Sequence, residues 1–469
     1  MSSSYENWSR EDLIARLKQL EGRPNSQQRV QLAQNSSKTV ATTLSTRPEK
    51  FDFASYPRRK IALKFCYSGW EYNGLAYQLK PTPLPTVEGV IFDALTKTKL
   101  IDPDAGYDGC EWEKCGRTDR GVSAAGQVIS LWVRSALEEN MIAAAAEHTS
   151  PASPAALDYV GILNRVLPPT IRILAWSPVS KTFSARFACK YRHYKYFFSS
   201  ERLDIPKMRD AASRLLGLHD FRNLCKLDPA KQITMFDRKI LRADIDPVDS
   251  VSPSVYVLNL IGTAFLYHQV RHIMAVLLLV GRGLEHPSVV SSLVNIKGAQ
   301  QPRDGDSLEV VDCKPEYQMA DALPLMLWDC AYSDEDVDWR TDGHQPGGDN
   351  SAEDGRGIYH LLHSIRARSE IYLTLNQHFL DAASLFFPEP WLMSDQGPVG
   401  IRSGGSIAIE VPLGGGNSRK LQQYVPLLER KRLDPVGVVN ERWRNGKGFR
   451  RDQKRLMVEG SDSDSDQAE

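Results

Sequence analysis

The segment Lys114-Cys115-Gly116-Arg117-Thr118-Asp119-Arg120-Gly121-Val122-Ser123-Ala124 sets one carboxylate, Asp119, between two arginines and two glycines. Glycine allows a tight turn and the close approach of a ligand. The arginines favour the charged carboxylate by Coulomb attraction. Residues 127–133, Gln-Val-Ile-Ser-Leu-Trp-Val, follow as an apolar run that reads as a strand. A charged Asp on a turn held by a rigid strand can act as a nucleophile or a general base. The same residues also describe an ordinary turn whose Asp bonds its own backbone. A second stretch, Tyr191-Arg192-His193-Tyr194-Lys195-Tyr196, mixes basic and aromatic residues, the composition of an RNA footprint or of a charged edge strand. In an extended chain Tyr194 and Tyr196 share a face and Tyr191 opposes them.

Three ordered motifs carry a resemblance. Gly116-Arg117-Thr118-Asp119-Arg120-Gly121-Val122 resembles the signature of the TruA-type tRNA pseudouridine synthases. Phe183-Ser184-Ala185-Arg186-Phe187 with the Tyr191–Tyr196 stretch is similar to the second motif of that family, and Ala264-Phe265-Leu266-Tyr267-His268-Gln269-Val270-Arg271 to its third. Asp220-Phe221-Arg222-Asn223-Leu224-Cys225-Lys226-Leu227-Asp228 resembles the eukaryotic branch that modifies positions 38 and 39 of the tRNA anticodon stem-loop. The resemblance implies that Asp119 is the catalytic nucleophile, that Arg271 pairs with it, that Tyr194 stacks on the target uridine and that Arg117 enters the space left by the flipped base. From its residues alone Arg271 reads as a helix-surface arginine. Leu323 or Leu325 is expected to floor the uracil pocket. No cofactor or metal is implied, because the isomerisation involves no net redox change or hydrolysis. The implied partner is the tRNA anticodon stem-loop, and since relatives are often dimers a homodimer is a further expectation.

The chemistry makes definite demands. A target base inside a stem-loop must leave its stack to reach Asp119, a cost of a few kcal/mol that aromatic stacking and phosphate contacts offset. Burial would disfavour the Asp119 charge, so a cationic partner is required. Two rivals follow from the same residues: a tRNA-binding or RNA-chaperone protein without chemistry, and a hydrolase of the glycosidic bond. The hydrolase would want a second carboxylate, for which Asp108 and Glu113 are nearest in sequence.

Around these motifs the elements fall into place. Residues 59–67 alternate as a strand, residues 86–100 have helical spacing with Thr86 as cap, 158–166 read as helix and 171–176 as strand. A similar series follows: strand 191–199, helix 207–216, strand 255–261, helix 265–281 and strand 308–313. The interleaving lacks a regular parallel-sheet period, which predicts an α+β fold with largely antiparallel pairing. The resemblance implies two ferredoxin-like halves forming one extended sheet around a central RNA-binding cleft. The expected organisation is an N-terminal helix and linker (1–55), a first catalytic half (56–189), a second half (190–332), an acidic, Gly-rich loop (333–356), a C-terminal helical extension (357–429), and a basic segment with an acidic tail (430–469). Residues 8–21 read as a short amphipathic helix, 137–154 as a surface insertion, 359–386 as a long helix and 407–411 as a short strand.

Composition sets bounds. The 469 residues are 42% hydrophobic and 25% charged, ordinary for a globular chain, with 58 basic against 58 acidic side chains. Nucleic-acid binding then depends on local clustering rather than on net charge. Residues 430–455 hold ten Lys/Arg against three Asp/Glu, a block that could grip RNA or direct nuclear import. The seven cysteines show no Cys-x-x-Cys pair, which suits reduced thiols in the nucleus and cytoplasm and argues against a metal at Cys110 and Cys115. No apolar run has membrane-span length and the first ten residues lack a secretory signal, so a membrane partner is not expected. His268 and His272 stand four apart without the Glu of a zinc helix, and Gly414-Gly415-Gly416 lacks the Gly-Lys-Ser/Thr of a phosphate loop and reads as a turn.

Overall fold

The structure, a computed structural model, describes residues 51–136, 157–249, 254–303, 306–341, 357–394, 397–403, 406–451 and 453. The expected helix at 8–21, the linker after it, the insertion at 137–154, residues 342–356 and the Ser-Asp tail lie outside the described residues. The elements below belong to the unit Asp52–Glu469.

The first strand, β1 (Arg58–Tyr67), buries nearly all its side chains and is followed by α1 (Val87–Lys97). Thr86 caps α1 by accepting the Gly89 N–H at 3.2 Å, which satisfies one of the unpaired donors of the first turn. The short β2 (Glu113–Lys114) and the long β3 (Ser123–Arg134) bracket the Asp119 loop. Next come α2 (Tyr159–Asn164), capped by Asp158, and β4 (Ile171–Pro178). The second series is β5 (Tyr191–Ser199), α3 (Ile205–Ser213), β6 (Gly217–Asp220), β7 (Asp237–Pro247), β8 (Val255–Gly262), α4 (Gln269–Gly281), α5 (Ser288–Val294) and β9 (Leu325–Ala331).

These nine strands form one mixed sheet in the order β4-β1-β3-β9-β5-β8-β7-β6, with β2 on β3. Every pair is antiparallel except β3–β9, where Ser123 faces Met326 and Ala124 faces Leu327. The α+β expectation therefore holds. β9, last of the sheet strands in sequence, joins the two series of strands. Two apolar cores lie along the sheet, one around Phe65, Ile91, Ile129 and Trp176, the other around Tyr196, Phe221, Leu260 and Leu277. Tyr194 packs against both.

Three sequence readings need correction. The segment 308–313 is not a strand: side chains hold much of its backbone, and the Val311 N–H donates to the Asn295 carbonyl at 3.2 Å. Asn223 Nδ2 donates to the Val311 carbonyl at 2.7 Å, Asn295 Nδ2 to Glu309 at 3.1 Å, and Ser292 Oγ accepts the Glu309 N–H. The strand in this region is β9. The helix expected over 265–281 begins only at Gln269, since His268 adopts φ +58° and breaks the helical run. The extension 357–429 is not only helical. After α6 (Ile358–Ser384) it forms a four-stranded antiparallel sheet of β10 (Trp391–Ser394), β11 (Gly397–Ser403), β12 (Ser406–Gly414) and β13 (Asn417–Leu421). Gly414, Gly415 and Gly416, all with positive φ, make the β12–β13 turn. A last helix, α7 (Val436–Trp443), lies in the basic segment.

Candidate active site

Asp119 stands on the loop between β2 and β3, and that loop is fixed from four sides. The Asp119 carbonyl accepts the Val122 N–H at 3.1 Å, closing the turn, and Gly121 follows at φ +86°. Thr118 is buried and shares a 2.6 Å hydrogen bond with the Tyr67 hydroxyl, while its carbonyl accepts from Leu75 N–H. Gln127 Nε2 donates to the Gly116 carbonyl at 2.9 Å. Gly69 lies so close to the Val122 carbonyl that a Cβ there would overlap it. Lys114 is tied at 2.6 Å to Glu88 of α1, a buried carboxylate that also accepts from Trp112 Nε1 and Tyr77 N–H. Both Glu88 oxygens accept hydrogen bonds, which is how a buried carboxylate is tolerated.

The charge partner arrives from the other half. In α4 every residue except Arg271 is buried, so the helix has no solvent face and cannot roll. Burying each of its leucines contributes roughly 1.5–3 kcal/mol. Arg271 projects to the cleft, where its guanidinium lies 3.7 Å from Asp119 Oδ2 and its Nε donates to the Ala320 carbonyl at 2.8 Å. His268 Nε2 reaches the same Oδ2 at 3.2 Å. The left-handed His268 backbone, a conformation His adopts more readily than most residues, aims the ring there. Its Nδ1 is buried with no hydrogen-bond partner among the described residues. The Asp119 side chain is 25% exposed, open enough for a substrate to meet it.

Tyr194, in the middle of β5, is partly buried, and its ring meets Phe265 edge-on at 5.0 Å. Burial pushes its phenol well above the ordinary value, with Cys330, Cys115 and Asp119 adding smaller upward effects. Arg117 is exposed two residues before Asp119, and among the described residues no ion pair holds it. The structure thus brings Asp119 and Arg271 together, sets Tyr194 within reach of the Asp119 charge and leaves Arg117 at the loop surface. Of the two candidates for the pocket floor, Leu325 is buried in the second core beside Tyr196 and Leu323 is exposed.

Several neighbours of the site were not anticipated. In the sequence His268 reads only as a metal-ligand candidate, and Tyr267 only as part of a motif. Their signal was position, since His268 stands one helical turn before Arg271. The segment 220–228 folds back on them: the Lys226 N–H donates to the Tyr267 carbonyl at 2.9 Å, and Lys231 Nζ lies 4.6 Å from the Tyr267 ring. Lys226, Lys231 and Tyr267 line a groove with Val436, Val439 and Asn440 of α7. The basic residues of β5 are, by contrast, committed to the protein. Arg192 donates to the carbonyls of Arg186, Thr263 and Cys115, His193 bonds Asn259, and Lys195 sits 3.6 Å over Trp328. His272 is no metal ligand partner for His268, because it is buried against Lys314 Nζ at 3.1 Å.

A carboxylate paired with a partly buried arginine at the seam of a mixed sheet, beside a half-buried tyrosine and a basic groove, is built for work on a charged polymer. Known proteins agree with that class. A family model described as tRNA pseudouridine synthase matches residues 211–333. The chain is 39% identical over 451 residues to the tRNA pseudouridine(38/39) synthase of Saccharomyces cerevisiae, covering 94% of this chain and 92% of that one. It is 43% identical over 300 residues to the human protein of the same name, 62% of this chain and 58% of that one. Against tRNA pseudouridine synthase A of Methanothrix thermoacetophila the identity is 32% over 287 residues, 60% of this chain and 86% of that one. The chain belongs to the tRNA pseudouridine synthase family.

Proposed function

We propose that this chain is an isomerase that converts uridine to pseudouridine in the tRNA anticodon stem-loop, at positions 38 and 39. The observation that carries the reading is the Asp119–Arg271 pair at 3.7 Å, a charged carboxylate anchored across the two strand series and open on one side. The bond from uracil N1 to ribose C1′ breaks, the base turns, and a C5–C1′ bond forms. The proton on C5 is lost and one is gained at N1, so atoms and electrons balance without a cofactor. Attack on the ring, attack on the sugar and proton removal from the sugar all begin with an ionised Asp119 against the nucleoside. Arg271 and His268 hold that charge. Tyr194 stacks on the extruded uracil, and exposed Arg117 fills the gap it leaves. Lys226, Lys231 and the basic segment supply phosphate contacts.

Strand order supports two ferredoxin-like halves around this cleft. In each series the first strand lies between the last and a middle one, β4-β1-β3 in one and β9-β5-β8 in the other. The hydrolase alternative lacks its acid: Asp108 and Glu113 line a different cavity with Lys60, Glu111 and Phe183. No helix among the described residues is long and apolar enough to cross a membrane. The basic block at 430–455 supports a nuclear as well as a cytoplasmic pool.

A homodimer fits α6. Ile358, Ile365, Tyr372 and Phe379 recur every seven residues, Tyr372 and Phe379 are 59% and 66% exposed, and no residue of the helix is buried. Apolar residues recurring every seven positions give a stripe that a second copy of the helix can cover. Light scattering should give a dimer for the wild type and a monomer for Tyr372→Glu/Phe379→Glu; a double variant that stays dimeric places the interface elsewhere.

The function is tested by mapping pseudouridine in unmodified tRNA after incubation with the wild type and with Asp119→Asn. Product at 38 and 39 from the wild type alone is expected, with tRNA still bound by the variant. Tight binding without product from either protein would favour the RNA-chaperone reading.

A further inference from the structure

Three of the seven cysteines meet in space although nothing in their spacing links them. Cys115 follows β2, Cys189 precedes β5, and Cys330 lies on β9, where it faces Arg192 in register. Their three sulfurs lie within 4.8 Å of one another, and the residues are 2%, 8% and 3% exposed. Cys110, the nearest in sequence to Cys115, is not part of the group.

We propose that Cys115, Cys189 and Cys330 form a three-sulfur site for a single soft, thiophilic cation of the copper(I) type. Three sulfurs each about 2.3 Å from a central ion lie about 4 Å apart in a plane, so the trio needs to close by at most about 0.8 Å. Thiolate donors select soft cations, and a set of three with no fourth side-chain ligand among the described residues suits a trigonal ion better than tetrahedral zinc. The Tyr332 hydroxyl is committed elsewhere, donating to the Ala185 carbonyl at 2.6 Å. Charge balance is supplied locally. Binding a monovalent ion to three thiolates leaves a net negative cluster, and the Arg192 guanidinium stands against it, held at the Cys189 and Cys115 carbonyls at 3.4 and 3.2 Å. Binding releases the thiol protons, so affinity rises with pH. Cys189, the most exposed of the three, marks the entry side. Cys115 lies four residues before Asp119, so an ion here braces the base of the loop that carries the carboxylate. The proposal is independent of the isomerase reading, because its readout is metal binding.

The full-length chain, reduced with a non-thiol reductant, is titrated anaerobically with copper(I) against bathocuproine disulfonate. One equivalent per chain should be retained, with ultraviolet sulfur-to-copper absorption. Cys189→Ser and Cys330→Ser should each weaken that equivalent at least 100-fold, and Cys66→Ser and Cys313→Ser should leave it unchanged. Circular dichroism of the metal-free variants reports folding, and Cys189→Ser, at the least buried position, decides the question if Cys330→Ser does not fold. Complete loss of copper to the chelator by the wild type, or retention of the equivalent by Cys189→Ser, overturns the site.

Discussion

Replacing Arg271 by Met removes the cation that holds Asp119 while keeping an apolar side chain of similar length. At 3.7 Å the pair attraction is about 4.5 kcal/mol for an effective dielectric near 20 and about 1.1 kcal/mol in bulk water. Asp119 is a quarter exposed and His268 stays in place at 3.2 Å, so the loss falls between those limits, at about 2–3 kcal/mol. That predicts a fall of about 30- to 150-fold in kcat/KM. Arg271→Lys keeps the charge but cannot span both Asp119 and the Ala320 carbonyl, so it should lose less. The assay is release of tritium from C5-labelled uridine in tRNA under single-turnover conditions, with binding measured separately on the same RNA. The expected loss lies in the rate of the bound complex. A change under about 5-fold in Arg271→Met, or a loss confined to tRNA binding, would refute the assignment and make Arg271 a phosphate contact.

Two further predictions concern the site and its support. Tyr194→Leu removes the ring proposed to stack on the extruded base and should cost about 1–3 kcal/mol of transition-state stabilisation, while the wild-type rate shows no alkaline loss from this phenol because burial holds it protonated; an unchanged single-turnover rate in Tyr194→Leu would exclude the stacking role. Burial brings the Lys314 ammonium, which donates to the Cys225 carbonyl at 2.6 Å, down from 10.5 to about 8. Folding therefore releases its proton between pH 8 and 10.5, so stability rises with pH across that window and the gain is lost progressively as pH falls from 10.5 to 8. Urea unfolding should show an increase of about 1.5–2 kcal/mol between pH 8 and 9.5 that is absent from Lys314→Met, and equal slopes in the two proteins would dismiss the buried-ammonium account.

Much of this molecule was legible in its residue order. The strand at 59–67, the Thr86 cap and the turn chemistry of Gly414-Gly415-Gly416 are local signals that the structure keeps, although the strand is buried on both faces over residues 59–63 rather than alternating. Asp119 could be singled out because its glycines, arginines and following strand are contiguous. The strand expected at 308–313 failed because tertiary contacts, the Asn223 side chain from 88 residues away and Asn295, hold that backbone instead of a strand partner. The helix start failed because His268 gives up helical geometry to reach Asp119.

The sequence by itself determined most of the local elements and singled out the Asp119 carboxylate, whereas Arg271 stood out as its partner only through the ordered motif shared with the resembled family. Only the tertiary structure decided which side chains converge. It set β9 between β3 and β5, turned Arg192 inward to four carbonyls rather than out to RNA, brought His268 onto the same oxygen as Arg271, and gathered Cys115, Cys189 and Cys330. The physical reason is common to all four. Hydrogen bonds and Coulomb attraction act over a few ångströms of space, and a fold with a parallel β3–β9 seam brings together residues that lie more than two hundred positions apart in the chain, such as Ser123 and Met326.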